Sequence, residues 1–415
     1  MLELQFRPIR ASMAADIGGG TVRHARIIHP SMGQIRLQAP TTEVKKFTGF
    51  GDMVDYLFAA LTKRDFTDVD HLIISIAGPV DPITGVIKKI TNQNGVEEKD
   101  IPLGLTLERM LSLHFKRPIK VTLINDSWAG AYAESSAQGA LSDLRKGQLF
   151  LTLILGNGVG GEIYQKTDDW VVVYPGGFEA GHRPAAQSLI ERLGLRYLVS
   201  GPCGCGIKGD PDIGVDPCFE QFTSGPALRR ILHRESGLPE LEGVDINKEM
   251  SQLLTRSIPA GSPQAWAFDI KYASFDHSIL RSVYDLRGKA VPQGTDLPKV
   301  FEGIPEADRG RVAVALHVLS NEALLLQRSL AVLQAHHPDP INFVPIGGAG
   351  IGFGPWLVPL LTEAFQVAKE QGVMSSWMQL PTFRCAAYAS NETNLAGNGH
   401  LAARMAVDPT LFARP

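Results

Sequence analysis

Asn125-Asp126 follows the apolar run Val121-Thr-Leu-Ile124 and precedes the small residues of Ser127-Trp-Ala-Gly-Ala-Tyr-Ala-Glu134. This pattern predicts a buried strand that ends in a carboxylate and turns into a helix. Ligands of open α/β sheets sit beyond the carboxyl ends of the strands. A carboxylate placed there can accept the proton of a bound hydroxyl. Asp is equally a favoured helix cap, so from this stretch alone Asp126 is either a base or the cap of a helix beginning near Trp128.

Three glycine clusters offer a second chemistry. Asp16-Ile17-Gly18-Gly19-Gly20-Thr21 ends one short strand, and Val22 to Ile28 resumes as another. Glycines let backbone N–H groups approach phosphate oxygens closely; the same residues also make a plain hairpin turn. Gly156-Asn157-Gly158-Val159-Gly160-Gly161 repeats the pattern after the strand Gln148–Leu155. Two such hairpins suggest a duplicated fold in which each half contributes a phosphate-binding turn. Gly347-Gly348-Ala349-Gly350 follows the strand Pro340–Ile346 and opens a helix around Trp356–Lys369. Such a turn can hold a nucleoside against backbone. Asn92 and Asn94, in the loop after the strand Gly85–Ile90, can bond sugar hydroxyls or simply form the turn.

Cys203-x-Cys205 and Cys218, with the upstream His182, make a Cys3His set among Gly, Pro and Asp residues. Such a set suits a four-coordinate structural Zn²⁺. The remaining cysteine, Cys385, reads as a core thiol.

The elements that must position these groups are helices at Asp52–Leu61, Leu105–Phe115, Val312–Gln334 and from Leu395, and a buried strand at His71–Ala77. The order β-β-α-β-β-α-β-α through Glu134 predicts a mixed sheet with helices on its faces. Residues 234–309 read as helical insertions and loops. The 415 residues carry a formal net charge of -3, with 20% charged and 44% hydrophobic residues. That balance leaves no basic footprint for nucleic acid and no polybasic membrane tail. Four cysteines are too few for a secreted disulfide framework. Without an apolar leader or an apolar run of ~18 residues, the expectation is a cytoplasmic protein with no nucleic-acid or membrane partner.

Taken together, the motifs resemble those of the ROK family of bacterial sugar kinases, in the superfold shared by actin, hexokinase and the heat-shock chaperone ATPases. The resemblance runs from about Asp16 to Ala403. It rests on Asp16-Ile-Gly18-Gly19, Asn125-Asp126, the 156–161 turn, Glu179-Ala-Gly181-His182, the Cys203 to Glu220 stretch with Ser224-Gly225, and Gly347-Gly348-Ala349-Gly350. It implies two RNase H-like α/β domains with a cleft between them and a zinc loop. The first domain would span 1–124, completed by helix 395–415. The second would span 125–394, with the zinc motif and the insertion near 234–309. The implied activity is ATP-dependent phosphorylation of a hexose or amino-sugar hydroxyl, with Asp126 as general base. Asn92, Asn125, Glu179, His182 and Glu220 would bind the sugar. Asp16, Gly18, Gly19, Gly20, Thr21, Gly156, Asn157, Gly158, Gly160, Gly347, Gly348 and Gly350 would hold ATP, Asp16 reaching Mg²⁺ or its waters. His182, Cys203, Cys205 and Cys218 would hold the zinc, and a homodimer is expected.

The chain departs from the family pattern. Gly20 stands where Thr is usual, Asn157 replaces another Thr, and eight extra residues separate Gly209 from Cys218. The two lost hydroxyls motivate a rival expectation, a sugar-binding sensor without turnover. Other family members are repressors with an N-terminal winged helix; with the kinase-like motifs starting at about residue 12, none is expected here.

Overall fold

Alternation along one short strand sets the layers of the first unit. In β1 (Ala11–Ile17) every residue is buried. Met13, Ala15 and Ile17 join one apolar cluster, while Ala14 joins another. A strand that sends successive side chains to opposite faces, each covered, is central to its sheet. The computed structural model describes residues 9–31, 33–89, 99–156, 158–167, 171–173, 218–225, 227, 230, 306–370, 372–375, 377–389, 391–408 and 411.

β2 (Thr21–Ser31) and β3 (Gln34–Val44) pair antiparallel with β1 and with each other in turn. On the other side, β4 (Val69–Ile76) and β8 (Lys120–Asn125) add in parallel, giving the order β3-β2-β1-β4-β8. A smaller antiparallel sheet holds β5 (Val80–Asp81), β6 (Val86–Lys89) and β7 (Lys99–Ile101). Three of these strands, β3, β5 and β7, were not expected from the sequence pattern.

Helices cover both faces of the five-stranded sheet. α1 (Phe50–Thr62) buries Met53, Val54, Leu57 and Leu61, and α2 (Leu103–Phe115) buries Leu103, Leu107 and Leu111. These spacings give each helix one apolar stripe, and both stripes enter the cluster with Met13, Ala15 and Ile17. The opposite face carries α3 (Asp126–Glu134) and, from the far end of the chain, α7 (Thr393–Val407); Ala133, Leu395 and Ala396 pack there against Ala14. α3 and α7 touch so closely that a Cβ on Gly397 would lie 1.8 Å from the Ala129 carbonyl oxygen.

The chain divides into two compact units, the first comprising 1–147, 164–175 and 386–415, the second 148–163 and 176–385. Residues 125–147 thus lie with the first unit, through the packing of α3 on α7, whereas the sequence reading groups them with the second. The last residues of β10 (Val159–Lys166) pair with β11 (Val171–Val173) inside the first unit. In the second unit β9 (Leu149–Leu155), β12 (Asn342–Ile346) and β13 (Thr382–Phe383) run parallel, with the start of β10 beside β9. α6 (Gly347–Glu370) packs on β9 and β12 and along α5 (Glu306–Ala335), burying Phe353, Leu357, Leu361 and Phe365. A four-residue helix, α4 (Glu220–Thr223), completes the described part. No described helix is long and apolar enough to cross a membrane.

Candidate functional site

Three parallel strands of the first unit end side by side. Ile17 lies opposite Ile76, and Ile76 opposite Asn125. The glycine turn 18–20, Gly78 and the Asn125-Asp126 pair therefore share one edge, where ligands of such sheets bind.

Asn125, and not Asp126, caps α3. Its Oδ1 accepts from the Ser127 backbone N–H at 2.8 Å and from Ser127 Oγ at 2.6 Å. Its Nδ2 donates to the Gly78 carbonyl at 2.9 Å. Ser127 Oγ in turn lies 2.8 Å from Tyr164 Oη. The Ser127 backbone N–H, which can only donate, and the Gly78 carbonyl, which can only accept, fix which way the amide faces; Ser127 Oγ then donates to Asn125, and the tyrosine hydroxyl to Ser127. Asp126 is the first helical residue, and its Oδ1 also accepts from the Ser127 N–H at 2.9 Å. The cap position being filled by Asn125, a pure capping role does not account for the carboxylate.

The hairpin β1–β2 closes at the glycine turn. Gly18 N–H bonds the Thr21 carbonyl at 2.9 Å, and Thr21 Oγ1 lies 3.3 Å from where a Gly18 Cβ would stand. Asp16, one residue inside the strand, is 1% exposed. Its Oδ2 accepts from Arg23 Nη1 at 2.8 Å, and its Oδ1 accepts from Ser75 Oγ at 2.8 Å and Asn394 Nδ2 at 2.9 Å. Asn398, one turn along α7, donates to the Ala15 carbonyl at 2.8 Å and to Ser75 Oγ at 3.1 Å. Sequence reasoning missed Arg23, Ser75, Asn394 and Asn398. Both Asp16 oxygens are engaged, one by a full positive charge, so this arrangement does not fit a Mg²⁺ held directly by Asp16.

In the second unit the strand ends repeat the geometry. Ile154 lies opposite Ile346, so the 156–160 turn and Gly347 are neighbours. Gly347 has φ +80°, and a Cβ there would stand 2.8 Å from the Leu155 carbonyl oxygen. Only glycine meets both conditions. Gly350 sits against Pro345, 2.9 Å from a Cβ to its carbonyl carbon, while a Gly348 Cβ would meet nothing within 4 Å. The helix starts at Gly347, nine residues before the expected Trp356, so its first-turn N–H groups belong to the glycine motif itself. Unsatisfied first-turn N–H groups favour anions. α4 and the residues just after it are bonded to the second turn at two points: Glu220 Oε2 accepts the Val159 N–H at 2.9 Å, and Gly225 N–H bonds the Gly156 carbonyl at 2.7 Å. Glu220 is buried and thus braces the turn.

Asn92, Asn157, Glu179, His182, Cys203 and Cys205 lie outside the described residues. Of the expected zinc ligands only Cys218 is described, and it is buried. Among the described residues no three His, Cys, Asp or Glu side chains come together to hold a metal.

The ROK family model matches residues 13–260. No curated protein matches the chain. Solved structures share the fold at low identity. A ROK glucokinase from Streptomyces griseus, in complex with glucose and AMPPNP, is 18% identical with a TM-score of 0.56, covering 94% of this chain and 98% of that one. The ROK hexokinase of Thermus thermophilus is 20% identical with a TM-score of 0.53, covering 96% and 99%. A ROK family transcriptional regulator, a homolog of the E. coli MLC protein, is 15% identical with a TM-score of 0.55, covering 96% and 80%.

Proposed function

Because the chain belongs to the ROK family, we propose that it is a sugar kinase, transferring the terminal phosphoryl group of ATP to a hexose or amino-sugar hydroxyl. The observation that carries this reading is the place of Asp126. It opens α3 at the shared edge of β1, β4 and β8, beside the first glycine turn, with its neighbour Asn125 already serving as cap. In the proposed reaction Asp126 accepts the proton of the attacking hydroxyl. General-base catalysis of this kind contributes roughly 10²–10⁴-fold. The Ser127 backbone N–H and the Gly78 carbonyl hold the Asn125 amide in one orientation, ready for a sugar hydroxyl. The 18–20 and 156–160 turns would bind phosphate through backbone N–H groups, and the start of α6 the nucleoside. Phosphoryl transfer passes through a loose transition state, so positioning and charge stabilisation do most of the catalysis. Glu179 and His182 would complete the sugar contacts, and the Cys3His set a structural zinc site. A cytoplasmic homodimer remains part of this proposal.

A second reading, a sugar sensor on the same fold, has its own support: Asp16 is closed off by Arg23, Ser75 and Asn394. One assay separates the two. ADP release is measured with Mg-ATP across hexoses and N-acetylhexosamines, with Asp126→Asn beside the parent chain. Turnover with a sugar, lost in Asp126→Asn while that sugar still binds, supports the kinase. Thermal stabilisation by a sugar without turnover by any supports the sensor.

A further inference from the structure

Asp16 and Arg23 face each other across the β1–β2 hairpin, two residues from its glycine turn. Directly opposed residues of an antiparallel pair put their side chains on one face. The carboxylate side chain is 2% exposed and the arginine 23%. Asp16 engages one of five guanidinium N–H donors, and the buried Arg23 Nε meets no acceptor among the described residues, so within them the guanidinium has donors left over. A lone carboxylate at this edge would repel a phosphate group. Paired with Arg23, it is neutral.

We propose that Arg23 supplies at Asp16 the positive charge that a divalent cation would otherwise bring. The first glycine turn then accepts a phosphate group beside a neutral ion pair, and nucleotide binding at this turn does not require the metal. Arg23 acts here as a positioning and charge-balancing residue. The proposal rests on the kinase reading, and it concerns binding of the nucleotide, not the transfer step.

The test is ADP affinity of the full chain by calorimetry, in EDTA and in Mg²⁺, for the parent, Arg23→Met and Arg23→Lys, each first checked for folding by circular dichroism. In the parent the two affinities agree within about threefold. In Arg23→Met the affinity in EDTA falls about tenfold relative to Mg²⁺, because Asp16 is left as an uncompensated negative charge beside the bound anion. Arg23→Lys restores most of it, which a purely structural role for Arg23 would not do. If the parent binds ADP only with Mg²⁺, the proposal is overturned and the kinase reading stands. Should the parent bind no nucleotide in either condition, both are overturned. The parent measurement decides the matter even if Arg23→Met fails to fold.

Discussion

Lowering the pH is the perturbation whose effect on the first unit follows most directly from its buried groups. His71 is 9% exposed, with its Nε2 2.9 Å from Thr122 Oγ1, and burial, aided by Lys120, lowers its pKa to about 4. Burial lowers His29 to about 4 as well. His400 also falls to about 4, through burial first and then the charges of His29 and Lys166. An unfolded histidine titrates near 6.5. The folded state therefore refuses protons that the unfolded state takes. The stability these three contribute is fully present above about pH 6.5, is lost as pH falls toward 4, and falls no further below that. At pH 5 each costs about 2 kcal/mol, from roughly 1.5 pH units at 1.36 kcal/mol per unit. Three together approach 6 kcal/mol, a large part of a domain's ~5–15 kcal/mol. His29 and His400 interact, so the sum is an upper bound. The assay is urea-dependent hydrogen exchange of β4 and α7 peptides from pH 7.5 to 5, for the parent and His71→Gln. The glutamine keeps a polar group opposite Thr122 but takes up no proton. Its stability should decline with a slope about one proton shallower than the parent's. Parallel slopes would refute a neutral buried His71.

Three further outcomes are expected. Gly397→Ala drives a methyl into the Ala129 carbonyl and should lower the stability of the first unit by about 3 kcal/mol, read as exchange protection lost in α3. Gly347→Ala forces a positive φ and a 2.8 Å contact; the left-handed backbone alone costs about 1–2 kcal/mol, so urea stability of the second unit and ADP affinity should fall together. Glu322 in α5 is 2% exposed, neither carboxyl oxygen has a partner among the described residues, and burial raises its pKa well above the usual carboxylate range. The folded state holds its proton where the unfolded state releases it, so Glu322 weakens the second unit as pH rises above about 4.5. Glu322→Gln should therefore raise the melting temperature at pH 8 and leave it unchanged near pH 4.

Local pattern made much of this molecule readable. The strand ending at Asn125 and the stripes of α1 and α2 came from apolar spacing, because each side chain answers to one covered face. β3 escaped because its residues are mostly exposed, so no apolar alternation marks it. The Asp16–Arg23 pair was within reach, since a hairpin turning at 18–21 sets those two residues opposite each other. Ser75 and Asn394 were not. The first depends on the register of a parallel neighbour, the second on a helix 378 residues away in sequence, and neither leaves a local trace. The glycines of 347–350 looked like a turn before a helix. They are the first turn of that helix, because Gly347 alone takes the positive φ and the others stay helical.

The route of the chain through the first unit bears on how it is made. Its sheet is complete by residue 125, yet the helix that seals one face, with Asn398 bonded to the Ala15 carbonyl, begins at Thr393. A ribosome working at ~5–20 residues per second needs roughly ten to fifty seconds to bridge that gap. Throughout that interval Ala14, Ala25, Ile27 and Ala133 have no α7 to cover them. The second unit, lying within the interval, has most of its sequence available to fold before the first can close. A nascent chain stalled before Thr393 should therefore be recognised by chaperones through the face of the first sheet.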